Sequence, residues 1–123
     1  MQIHLKGMTK DEYLSLLNIV NYLMRSLREP LDFEEFQQWD ALRDLMMDMM
    51  RRVPDMKKRI NMTLKSDAAT ALYIYVDLQK LPPFEGALMA KVFEEMDKQW
   101  KARLSMIKGN MLADQAMLEG GVR

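Results

Sequence analysis

No cysteine occurs in this chain of 123 residues, and His4 is its only histidine. Without cysteine there are no disulfides, no thiolate nucleophiles and no zinc or iron–sulfur site with a cysteine ligand, nor any mark of an oxidising compartment. With one histidine, a catalytic triad has no second candidate base, and a di-iron bundle lacks its paired Glu-x-x-His motifs. His4 itself lies on the polar side of an alternating segment, the setting of a solvated surface residue. Charge of one sign is also missing. Lysine plus arginine equals aspartate plus glutamate at 18 each, so no global field draws nucleic acid, an anionic membrane or an acidic substrate. No uninterrupted apolar run of about 18 residues occurs, and Met1 to Gly7 is not a basic segment followed by an apolar one, so neither a membrane span nor a secretory leader is expected. The expectation is a soluble, cytoplasmic protein without a cofactor.

What the chain has is an ordinary globular composition, 49% hydrophobic and 29% charged, and enough length to bury a core without staples. One domain over residues 1–119 is expected, with a frayed tail at 120–123. The fold class reads as mainly α, a bundle of four to five helices with a short two-stranded β ribbon. Gln2 to Lys6 alternates with period two, a strand with one buried face that Gly7 ends. Thr9 and Glu12 spell a capping box. Tyr13, Leu16, Leu17, Val20, Leu23, Met24 and Leu27 then recur at helical spacing, with Ser15 among the residues of the polar face. This first helix runs to about Arg28, and Pro30 stops it. Asp32 and Glu35 repeat the capping logic for a second helix from about Phe33 to Arg52, with acids in its first turn and Arg51 and Arg52 in its last. Its apolar residues, from Phe36 and Trp39 to Met50 and Val53, span roughly 200° of arc. One neighbouring helix would not bury so wide a face, so the second helix is central or meets a partner.

Ile60, Met62 and Leu64 alternate with Asn61, Thr63 and Lys65 as a second strand. Ser66 is placed to cap a third helix through Ala68, Leu72, Tyr73 and Val76 toward Leu81, although the β-branched and aromatic residues there also suit a longer strand. Pro82-Pro83 opens a fourth helix, whose stripe is Leu88, Val92, Met96, Trp100, Leu104 and Ile107. Gly109-Asn110 offers a stop or at least a kink, and Met111 to Glu119 either continues this helix or forms a fifth. Each half thus reads strand, helix, proline, helix, with Phe-Glu shortly after each proline junction (Phe33-Glu34 and Phe84-Glu85). A degenerate duplication whose two strands pair with each other accounts for that order most economically.

Methionine is the compositional anomaly, at 14 residues. Most sit at core spacing, and soft-metal ligation calls for solvent-reachable clusters that often include histidine or cysteine. Met46, Met47 and Met50 with Trp39 instead form an adaptable apolar patch on the second helix, suited to another protein or a second copy of this one. Arg51, Arg52, Lys57, Lys58 and Arg59 cluster at the turn that follows and would neutralise backbone phosphates. The helix dipole is by itself a reason for basic residues at a C-terminus, however, and no glycine-rich phosphate loop accompanies them. Asp40, Asp44 and Asp48 line the opposite face of the same helix at four-residue spacing. Glu94 and Asp97 form a Glu-x-x-Asp pair that resembles those with which all-α pyrophosphohydrolases hold magnesium and a diphosphate. The further acidic clusters of that family are missing here.

The segment Met62-Thr-Leu-Lys-Ser-Asp-Ala-Ala-Thr-Ala-Leu72, a strand entering an alanine-rich helix, resembles small uncharacterised helical proteins of Bacteroidetes genomes and their mobile elements. The resemblance covers this short segment, implies an intracellular protein, and carries over no functional residue. The expected function is that of a non-enzymatic interaction or accessory protein, self-associating through Trp39, Met46, Met47 and Met50 or binding another protein. Two alternatives have their own consequences. A nucleic-acid accessory protein using residues 51–59 would bind less tightly as salt rises. A metal-dependent phosphohydrolase using Asp40, Asp44, Asp48, Glu94 and Asp97 would be stabilised against heat by magnesium.

Overall fold

The two alternating segments meet each other. In the computed structural model, which describes residues 2–122 and the side-chain surroundings over 2–109, strand β1 (Ile3–Met8) pairs antiparallel with β2 (Ile60–Leu64). Ile3 lies opposite Leu64 and Leu5 opposite Met62, so the apolar members of both strands point to one face, as a period of two requires. Four helices complete the chain: α1 (Lys10–Ser26), α2 (Phe33–Arg52), α3 (Ser66–Tyr75) and α4 (Pro83–Val122). The fold is therefore mainly α with a short ribbon. The order β-α-α occurs twice, although α2 has 20 residues and α4 has 40.

Helix starts follow local chemistry. Thr9 Oγ1 accepts the Glu12 N–H at 3.1 Å and Glu12 Oε1 accepts the Thr9 N–H at 3.0 Å, the reciprocal bonds of the capping box. Asp32 Oδ1 accepts the Glu35 N–H at 2.8 Å. Glu35 in turn takes both terminal nitrogens of Arg28 and the Leu31 N–H, closing the turn between α1 and α2. Helix α3 departs from expectation, because Lys65 holds the extended backbone before the first turn and Ser66 is already helical, with no side-chain cap. That helix also ends at Tyr75, where Val76 returns to extended geometry and Asp77 caps a 3-10 turn over Leu78–Lys80.

Gly7 does not end β1. It sits inside the strand at φ +69°, where the register shifts between Leu5 and Met8. The extra residue is a bulge, and a left-handed φ is the conformation that glycine tolerates and β-carbons oppose. The Gly7 N–H donates to Asn61 Oδ1 at 2.8 Å and its carbonyl accepts from Arg59 at 3.2 Å, so both polar groups that leave the ladder find side chains of β2 and its approach. An alanine β-carbon here would meet no atom within 4 Å, which leaves backbone strain as the whole effect. Gly7→Ala is expected to cost about 1 kcal/mol, read as a lower urea midpoint at unchanged slope.

The core lies between the four helices, under the ribbon. Tyr13, Leu16, Leu42, Met49, Leu64, Leu72 and Met89 are fully buried there, one or more from each helix and from β2. Helix α2 packs against α1 on one side and α3 on the other, which covers the centre of its wide apolar arc. Ser15, placed by periodicity on the polar side of α1, is buried, and Gln38 on α2 is buried where its Oε1 accepts the Tyr75 hydroxyl at 3.2 Å. The inner face of α3 is Ala68, Ala69, Ala71 and Leu72. Tyr73, expected on that inner face, is 67% exposed and instead packs edge-on against Phe93, with ring centroids 5.5 Å apart.

Only the first part of α4 belongs to this core. Leu88, Met89 and Val92 are buried, whereas Trp100 is 52% exposed and Met106 and Ile107 are exposed as well. A helix of 40 residues is about 60 Å long at 1.5 Å per residue. Gly109 does not stop it, because a glycine stop uses a left-handed φ and Gly7 alone among the described residues has one. Of the two alternatives for residues 111–119, continuation of the fourth helix is the one observed. The side chains of Met111 to Glu119 and the end of the expected tail at Arg123 lie outside the described residues.

Candidate functional site

Three surfaces carry the residues of interest. The first is the flank of α2, where Phe36 and Trp39 stack with ring centroids 6.3 Å apart. Trp39 and Met46 are half-buried, Met46 against the core, while Met47 and Met50 are exposed. The four residues of the expected patch therefore share one side of α2, with Phe36 extending it toward the helix start. Met8, Met49, Met62 and Met89 are buried, which is the core-filling use expected of most methionines.

The second surface is a concavity of about 600 Å³ at the end of α2, lined by Arg51, Arg52, Lys57 and Arg59 together with Asp48, Asp55, Tyr13 and Asn61. Four of the five basic residues picked out by sequence thus converge, and Lys58 does not join them. Arg51 is paired with Asp48. Beneath them the Tyr13 hydroxyl donates to the Met49 carbonyl at 2.8 Å. Burial pushes the pKa of Tyr13 up from 10.0, Arg52 draws it back and Asp48 adds to the rise.

The third surface runs between α3 and the outer half of α4. A groove of about 700 Å³ is lined by Ile3, Ala69, Tyr73, Phe93, Met96, Trp100, Leu104 and Ile107, with Asp97 and Arg103 among its polar residues. Periodicity identified the α4 stripe without separating its buried part from its exposed part. On another side of α4 the Gln99 amide lies along the outer edge of β1, accepting the His4 N–H and donating to the His4 carbonyl, both at 2.8 Å. Glu95 holds the amide nitrogen of Gln99 at 2.9 Å. A side-chain amide thus does what a third strand would do, and it blocks part of an edge otherwise open to one. No pattern in the sequence marks Gln99, because its partner is 95 residues away.

The acids do not assemble. Asp48 is spent on Arg51 and Asp97 on Lys101 at 2.9 Å, and among the described residues no three histidine, aspartate or glutamate side chains are grouped to hold a metal ion. Glu12 on α1 is paired with Lys91 on α4 at 3.4 Å. The Thr9 N–H chiefly, and Lys91 after it, hold its pKa below the usual value against partial burial. No helix among the described residues is long and apolar enough to cross a membrane. No family model, curated protein or solved structure matches the chain.

Proposed function

We propose that this chain is a non-enzymatic protein-interaction domain that self-associates, with the outer half of α4 and the groove beneath it as the contact surface. The observation that carries the reading is the α4 stripe, which is buried as far as Val92 and then continues through Trp100 and Ile107 with those side chains exposed. A helix gains most of its stability from packing an amphipathic face, and this one continues well past the part of the body that it packs against. A second copy suits the vacancy. Under a two-fold axis each α4 would lay its apolar stripe in the other's groove. Light scattering over a concentration series tests this, with a dimer or larger species expected and a strict monomer at all concentrations ending the self-association reading.

The Met47 and Met50 flank of α2 is a second reading, favoured by the exposure of Phe36, Met47 and Met50 side by side with stacked Trp39. Met47→Asp with Met50→Asp separates the two surfaces. If α4 is the contact, these substitutions leave the solution mass unchanged. If α2 is, they convert the assembly to monomer while the circular dichroism stays helical.

A further inference from the structure

We infer that the concavity at the end of α2 is a binding site for a compact oxyanion of the phosphate class, a role separate from self-association. Charge is the first ground. The chain has no net charge, yet four cations line this one hollow against two carboxylates. Arg51 is neutralised by Asp48. Arg52, Lys57 and Arg59 have no carboxylate within ion-pair distance among the described residues, and Asp55 alone remains to oppose them. Three like charges held around one hollow repel one another, and a bound anion removes that repulsion.

Preorganisation is the second ground. The bulge turns the Gly7 carbonyl toward Arg59, which donates one guanidinium N–H to it at 3.2 Å, while Asn61 is held by the Gly7 N–H at 2.8 Å. One nitrogen of the guanidinium is thereby fixed to the sheet, and its other donors remain for a ligand. A guanidinium fork matches two oxygens of a phosphate. The residues come from α1, from the last turn of α2, from the connection after it and from β2, so the hollow exists only in the folded chain. Arg51 and Arg52 also face the negative pole of α2, which puts the principal contacts on Lys57 and Arg59.

The arrangement favours a small ligand over a nucleic-acid strand. A strand carries its phosphates in a row and needs cations along a track, whereas here they surround a single hollow. Calorimetric titration of the full chain with pyrophosphate at low salt tests the assignment. Saturable binding at one site per chain is expected, weakened about tenfold or more by Arg59→Gln and by Lys57→Gln and unchanged by Lys58→Gln, which lies outside the hollow. Competition by orthophosphate and by a phosphate monoester then distinguishes a free phosphate from an esterified one. No binding of pyrophosphate, or equal losses in all three variants, would overturn the site. A single-stranded oligonucleotide that binds and is not displaced by pyrophosphate would overturn the compact ligand.

Discussion

Tyr13→Ala is expected to lower the unfolding free energy by about 3–5 kcal/mol, because it empties a fully enclosed aromatic position. Tyr13 has no exposed surface. A domain of this kind is stable by only about 5–15 kcal/mol, so the variant should lie close to the limit of folding at room temperature. Tyr13→Phe isolates the hydroxyl. The N–H of Val53, at the end of α2, goes to the Met50 carbonyl, and the Met49 carbonyl accepts the Tyr13 hydroxyl at 2.8 Å. Losing that donor at a helix end is expected to cost about 1–3 kcal/mol, measured by urea unfolding. A phenylalanine variant as stable as the parent would mean that water serves this carbonyl equally well.

The same residue carries a pH dependence. Burial holds the Tyr13 proton more tightly in the folded chain than the ordinary pKa of 10.0 would, so the unfolded chain releases it first as pH rises. The stability linked to this group is complete below about pH 10 and is lost as pH climbs through the raised folded value. Other tyrosines and the lysines titrate nearby, so the quantity to measure is the difference between the parent and Tyr13→Phe across that range. That difference is expected to shrink at alkaline pH.

Trp100→Glu is expected to weaken self-association by about 30-fold or more, the loss of roughly 2 kcal/mol that a central interface tryptophan commonly accounts for. Adding Ile107→Glu should leave a monomer at any practical concentration. Both residues lie beyond the intrachain core, with Trp100 at 52% and Ile107 at 42% exposure, so the thermal midpoint extrapolated to low protein concentration should change little. Sedimentation equilibrium reads the association, and the midpoint at several concentrations reads the linkage, since assembly stabilises by mass action. A double variant that associates as the parent does would remove α4 as the contact.

Much of this molecule is legible in the order of its residues. The Thr9 and Asp32 caps, the breaks at Pro30 and Pro82, and the two period-two segments place both strands and the starts of α1, α2 and α4, whereas α3 lacks its expected Ser66 cap and ends at Tyr75. Those local signals hold because each is a contest among groups a few residues apart, decided by hydrogen bonds and sterics within one turn. The wide apolar arc of α2 called for a central helix or one that meets a partner, and α2 packs on both α1 and α3. The basic cluster was legible as residue types, and four of its five members do converge.

Other features rest on contacts across the chain. Gly7 reads as a strand end until Asn61 and Arg59 are brought to its N–H and carbonyl. Gln99 is an ordinary helix residue until α4 lies along β1, and Tyr73 is a core residue until Phe93 meets it from outside. The stripe on α4 has one period along its described length, and no signal within it says where the body ends and the exposed part begins. Periodicity records which side of a helix is apolar. Which stretch of that side is covered is decided by the lengths and positions of the elements that pack on it, and those are set in the tertiary structure.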